Sequence, residues 1–132
     1  RHRGGILNVA SLASFLPAPG MAVYYATKAY VLSFSEALSK ELHRKGVRVT
    51  ALCPGPVPTE FQARAGLTGS RRGGLLELSA REVAEAGFRG FAAGKRLVVP
   101  GRLNKLVPLL PRIFPRALIL ALSDMRQKSR KT

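Results

Sequence analysis

Apolar positions in this chain recur with two different periods. Ile6-Leu7-Asn8-Val9-Ala10 is a short β-prone run after Gly4-Gly5, and Ser11 follows at its carboxyl end. Leu16-Pro17-Ala18-Pro19-Gly20 can continue neither strand nor helix and predicts a loop. From about residue 22 to 45 the spacing turns helical: Val31, Phe34, Leu38 and Leu42 fall at i, i+3, i+7 and i+11, one stripe of an amphipathic helix. Glu36 and Lys40 predict an i,i+4 ion pair on another face, and Gly46 a C-terminal stop. Residues 47–53 predict a second strand, closed by Pro54-Gly55-Pro56. Strand, long helix, strand is a βαβ unit, which makes a right-handed crossover between parallel strands.

Beyond it, residues 59–74 are polar, basic and glycine-bearing, and predict a mobile segment with a short helix. Ser79-Ala80-Arg81-Glu82 matches a capping box that opens a helix running to about Ala93. Residues 96–100 predict a third short strand. Residues 102–132 then set leucines and isoleucines among Arg and Lys, punctuated by Pro108, Pro111 and Pro115. No internal repeat is present, and no apolar run reaches the roughly 18 residues of a membrane-spanning helix. The predicted organisation is a domain over 1–101 and a basic, apolar helical tail over 102–132.

Composition narrows the chemistry. The 132 residues suit one modest domain, and 46% apolar content supports a buried core. A single cysteine, Cys53, excludes an internal disulfide framework and a Cys-based zinc site. His2 and His43 are too few for a multi-histidine metal centre, so no metal is expected. Against 7 acidic residues stand 22 basic ones, a formal charge of +15. Ten of those bases and one acid, Asp124, lie in residues 95–132, a basic tail on a more ordinary domain. The chain opens on Arg1 with no basic leader or apolar signal segment, and reads as cut rather than natural at its start.

Three loop junctions come together in the predicted fold. Ser11 ends the first strand, Tyr24 and Lys28 open the next helix, and residues 54–59 leave the second strand. In a parallel sheet all three lie at the carboxyl edge, where open α/β folds bind ligands. Tyr24 and Lys28 stand four apart and share a helix face. An ammonium beside a phenol favours the phenolate, which suits the phenol to proton exchange with a carbonyl or alcohol. Ser11 can hydrogen-bond the same substrate oxygen from the strand end. Each signal is weak alone: most Tyr-x-x-x-Lys pairs are solvated helix faces, and Ser11 by itself is a turn or cap residue. Their agreement in spacing and element type carries the weight.

Asn8-Val9-Ala10-Ser11, then Tyr24-Tyr25-Ala26-Thr27-Lys28, then Pro54-Gly55-Pro56-Val57-Pro58-Thr59 resemble the short-chain dehydrogenase/reductase family, over roughly residues 4–101. The resemblance implies a Rossmann-type, doubly wound parallel α/β fold and hydride transfer between NAD or NADP and an alcohol or carbonyl. It implies Tyr24 as proton donor or acceptor and Ser11 as the group that orients the substrate oxygen. Lys28 would stabilise the Tyr24 phenolate and hydrogen-bond the nicotinamide ribose. Pro54 and Gly55 match the family's Pro-Gly loop, with Val57 and Thr59 where the nicotinamide carboxamide is met. Tyr25 stands three rather than four residues from Lys28 and cannot replace Tyr24.

The family's glycine-rich turn, cofactor-selecting residue, Asn-Asn-Ala-Gly segment and catalytic asparagine belong upstream of these residues and have no match here. Gly66-Leu67-Thr68-Gly69 and Gly73-Gly74 follow no apolar strand. Gly90-Phe91-Ala92-Ala93-Gly94-Lys95 mimics a phosphate loop with too few residues between its glycines, and Arg96 stands where Ser or Thr is needed. These glycines read as loop and helix-end residues. The expectation is therefore the carboxyl-terminal half of a reductase, its amino-terminal dinucleotide-binding half missing, inactive as an isolated chain. The rival is a non-catalytic remnant or interaction module that keeps the fold and the tail.

The remaining features are softer. Cys53 reads as a core thiol, and His43, late on its helix, as a cation suited to the dipole. Residues 60–78 fall where the family places its substrate loop, so the resemblance implies that Phe61, Leu67, Leu75 and Leu76 would line an apolar substrate pocket, with ordinary surface-loop packing as an equal alternative. For the tail three readings stand. Leu118-Ile119-Leu120-Ala121-Leu122 between basic residues suits a peripheral membrane contact. Packing of the same segment on the domain or on a second subunit of a homo-oligomer is the leading reading, ahead of the membrane. Nucleic acid comes third, because no aromatics interleave the bases. An unpaired cysteine is compatible with a reducing interior, and the expected location is cytoplasmic.

Overall fold

The computed structural model describes residues 4–58 and 75–129. Three parallel strands form one sheet in the order β1 (Gly5–Val9), β2 (Arg48–Leu52), β3 (Leu97–Val98). The chain crosses from β1 to β2 through helix α1 (Ala22–His43), so the βαβ unit read from periodicity is present. Helix α2 (Ala80–Ala92) precedes β3, and its Ser79–Glu82 capping box forms as predicted. The third strand is shorter than expected. The helix expected within residues 59–74 lies outside the described residues.

The core sits on β2, where Val49 through Leu52 are buried. Ala51 and Cys53, both 0% exposed, join Ala10 and Leu32 in one cluster, with Phe15, Val31, Leu97 and Val99 packed on it. Successive strand residues point to opposite faces. Ala51 thus meets α1, while Leu52 meets Gly87 of α2, and Thr50 Oγ1 donates to the Lys95 carbonyl at 2.6 Å just past α2. Helices cover both faces of the sheet, the doubly wound α/β arrangement. Gly90, from the phosphate-loop mimic, is a buried residue of α2 packed against Val98, with no room for a Cβ.

On α1 the expected stripe is met in part, with Val31 packed on the core and Leu38 and Leu42 half-buried. Phe34 is 48% exposed and stacks on exposed Tyr30 at 5.9 Å between ring centroids. Beside the stripe runs a second line, Lys28, Leu32, Ser35 and Ser39, spaced i, i+4, i+7 and i+11, with Leu32 and Ser35 buried. Small Ala51 and Cys53 beneath it leave room for this approach. The buried serine is satisfied locally, Ser35 Oγ donating to the Val31 carbonyl at 2.6 Å and accepting from Asn8 Nδ2 at 3.0 Å. Glu36 likewise pairs with Arg96 Nε at 3.3 Å, across to the start of β3, rather than with Lys40.

After β3 the chain makes a 3₁₀ turn (Asn104–Leu109), a one-turn helix α3 (Leu110–Ile113) and helix α4 (Arg116–Ser129). Phe114 is extended at φ −104° and ψ 145°, as a residue before proline must be, and Pro115 then starts α4.

Candidate functional site

The site is assembled where β1 and β2 end. The parallel ladder continues past both strands: Ala10 N–H donates to the Leu52 carbonyl at 2.8 Å, and Leu12 N–H to the Pro54 carbonyl at 3.0 Å. Ser11 is thereby held beside the Pro54-Gly55 turn. It also caps a 3₁₀ turn (Leu12–Phe15) that the sequence pattern did not announce, its Oγ accepting from Ala13 N–H at 3.1 Å. Ser14 closes the box by accepting from Ser11 N–H at 3.4 Å, and its hydroxyl donates to the Lys28 carbonyl at 2.7 Å. One small side chain therefore sews the Ser11 turn to α1 at the Lys28 position.

Lys28 begins the second line of α1, and its side chain runs back toward the strand end. Its Nζ donates to the Val9 carbonyl at 3.3 Å and stands 5.9 Å from the centroid of the Tyr24 ring. That is within reach of a cation–π contact. Tyr24 is 38% exposed and meets Tyr25 edge to face at 6.0 Å. Tyr24 and Lys28 are neighbours in space, and Ser11 is joined to the Lys28 turn through Ser14.

On the other side, Pro54, Gly55, Pro56 and Val57 are half-buried. Thr59, assigned with them, lies outside the described residues, as do Phe61 and Leu67. Beneath the turn lies Asn104, 1% exposed and wholly unsuspected from the sequence. A Cβ on Gly55 would come within 2.8 Å of Asn104 Nδ2, so only glycine fits there. That nitrogen donates to the carbonyls of Leu76 at 3.1 Å and Pro100 at 2.9 Å, and Leu78 N–H reaches the Pro56 carbonyl at 3.4 Å. Asn104 thus supports the turn and fixes the 75–78 segment against it. Leu75, Leu76, Leu78 and Leu103, with Gly101, Arg102 and Asn104, line an open cavity of about 210 Å³. The only hint in the sequence was a lone amide among the leucines and basic residues after Gly101.

Replacing Asn104 by leucine leaves two carbonyls without their donor in a dry setting. The expected loss is about 2 to 4 kcal/mol of stability, read as a lowered urea midpoint at unchanged slope. A change below about 0.5 kcal/mol would remove Asn104 from this role.

Cys53 is fully buried, as expected of a core thiol. Burial pushes the thiol up from 9.0 to about 11, against opposing hydrogen bonds from the Ser11 backbone and the Ser14 side chain. A thiol so held stays protonated at neutral pH and is not a nucleophile.

Comparison with known proteins follows the same outline. The family model described as short chain dehydrogenase matches residues 1–70. An oxidoreductase of Staphylococcus epidermidis is 40% identical over 83 residues, 63% of this chain and 34% of its own length. A short chain dehydrogenase of Burkholderia cenocepacia, solved in complex with NADP, superposes with a TM-score of 0.70 at 26% identity, over 86% of this chain and 46% of its own. A 3-ketoacyl-(acyl-carrier-protein) reductase of Brucella melitensis, complexed with NADH, gives a TM-score of 0.57 at 30% identity over 73% and 41%. The chain therefore spans less than half the length of each of these proteins.

Proposed function

This chain belongs to the short chain dehydrogenase family, and from that premise we propose that it forms the acid–base and nicotinamide-facing part of an NAD(P)-dependent oxidoreductase acting on an alcohol/carbonyl pair. The observation that carries the proposal is the position of Lys28, which reaches the carboxyl end of β1 while its ammonium lies beside the Tyr24 ring.

The donor set suits a nicotinamide nucleotide. An ammonium has three N–H donors, and Lys28 uses one on the Val9 carbonyl, leaving capacity for ribose hydroxyls. The Pro54-Gly55 turn is held from behind by Asn104 and from the side by Leu12 N–H, so its remaining surface is rigid. Tyr24, Lys28, Pro54, Gly55, Val57 and Thr59 are the residues proposed to hold the nicotinamide end. When bound, the nucleotide supplies or accepts the hydride at the substrate carbon.

In the reducing direction, Ser11 and Tyr24 hydrogen-bond the substrate carbonyl oxygen. The Tyr24 hydroxyl passes its proton to that oxygen as the alcohol forms. Lys28 stabilises the phenolate left behind, and Tyr24, partly exposed, regains a proton from solvent. Four leucines in the cavity beside Asn104 suit an apolar part of a substrate, and Arg102 on the same wall suits a polar one. Structural relatives carry NADP in one case and NADH in another, and either nucleotide is compatible with this half of the crevice.

The test uses the protein expressed from its complete reading frame. Reduced NADH and NADPH are offered separately against a panel of aliphatic and aromatic ketones and aldehydes. The expected result is substrate-dependent loss of the reduced nicotinamide signal with one of the two. Nucleotide binding with no turnover on any carbonyl or alcohol would favour the non-catalytic alternative.

A further inference from the structure

The tail resolves one of the questions its sequence left open. On α4 the positions turned toward the domain are Ile119, Ser123 and Gln127, spaced i, i+4 and i+8, and of these only Ile119 is buried. Leu118, Ala121, Leu122 and Met125 recur at i, i+3, i+4 and i+7 and are all exposed. The apolar stripe therefore faces outward and the more polar stripe inward, the reverse of a helix made to pack on its own domain. Ile113 and Phe114, 69% and 44% exposed, extend the same character ahead of it.

Charge selects the occupant. Arg112, Arg116 and Arg126 are exposed around this surface, and the sole acid of the segment, Asp124, is already paired with Lys128 at 2.7 Å. A two-fold contact between copies would set one basic rim against another. An anionic lipid surface meets both the apolar stripe and the charge. Helix α4 has 14 residues, about 21 Å in length, short of the roughly 30 Å hydrocarbon core. Among the described residues no helix is long and apolar enough to cross a membrane. The geometry points to a helix lying in the interface plane. We infer that α3 and α4 dock this protein on anionic lipid bilayers, with Leu118, Leu122 and Met125 entering the headgroup layer and the arginines contacting lipid phosphates.

Flotation of the protein from its complete reading frame on vesicles tests this. Phosphatidylcholine vesicles are compared with vesicles containing about one-third phosphatidylserine, at low and high salt. Binding is expected only with phosphatidylserine, and is expected to weaken with salt. The double variant Leu122→Glu/Met125→Glu is expected to lower binding at least tenfold. Arg116→Gln/Arg126→Gln is expected to lower it about 30-fold, at roughly fivefold per basic group. Both variants should keep wild-type far-ultraviolet circular dichroism and nicotinamide turnover. The inference is overturned by absence of flotation at low salt or by equal binding to neutral vesicles. It is equally overturned if the glutamate variant alters oligomeric state while vesicle binding persists, or if duplex DNA, and not vesicles, captures the protein.

Discussion

Replacing Tyr24 by phenylalanine in the protein from its complete reading frame is expected to lower kcat by about 10²- to 10⁴-fold, the range for loss of a general acid–base group. The ring, its edge-to-face contact with Tyr25 and its place beside Lys28 all survive the substitution, because only one oxygen is removed. Nicotinamide binding should therefore change little, and the loss should fall on kcat rather than on the nucleotide KM. Tyr25→Phe is the internal control. Tyr25 lies next to Tyr24 but lacks the Lys28 neighbour, and its variant should keep turnover within about twofold. Steady-state kinetics on the two variants and the parent decide the matter. A loss below tenfold in Tyr24→Phe, or equal losses in both tyrosine variants, would take the proton-transfer role away from Tyr24.

The contrast between these neighbouring tyrosines shows what the sequence made legible. The βαβ unit was readable because alternating and helical periods are local properties, and the Tyr-x-x-x-Lys spacing could be read on a helix whose existence was clear. The face of that helix was legible only in part, since Val31 packs on the core while Phe34 does not. Its second line holds two serines and a lysine, and hydropathy has no means of recognising Ser35 as buried when its hydroxyl is satisfied by Val31 and Asn8. The same blindness hid Ser14, which does more than any other side chain to tie the Ser11 turn to Lys28. Asn104 is the extreme case. It touches Gly55 and bonds Leu76, positions far away in the chain, and no local pattern encodes a contact of that range. What was missed are small polar groups, buried or half-buried, whose hydrogen bonds fix these turns without marking them in the sequence.

The 132-residue chain expressed by itself is expected to show no nicotinamide-dependent turnover above buffer, the largest effect anticipated here. The reason lies in β1. Its Ile-Leu-Asn-Val run is the kind found in strands buried on both faces of parallel sheets, yet Ile6, Leu7 and Val9 are 41%, 37% and 55% exposed. Among the described residues only one edge of β1 is paired, by β2. A strand of that composition with an open edge calls for another parallel neighbour, and without one it invites association between chains. Under the proposed function Tyr24 and Lys28 would border one side of a nucleotide crevice, and the sequence has no match to a glycine-rich turn for the pyrophosphate. Kinetic assays of the isolated chain beside the longer protein, at matched concentration, provide the comparison, with light scattering to follow association. A rate from the isolated chain within a hundredfold of the longer protein would mean that these residues suffice for nucleotide binding, and the half-crevice reading of β1 and the Pro54-Gly55 turn would have to be abandoned.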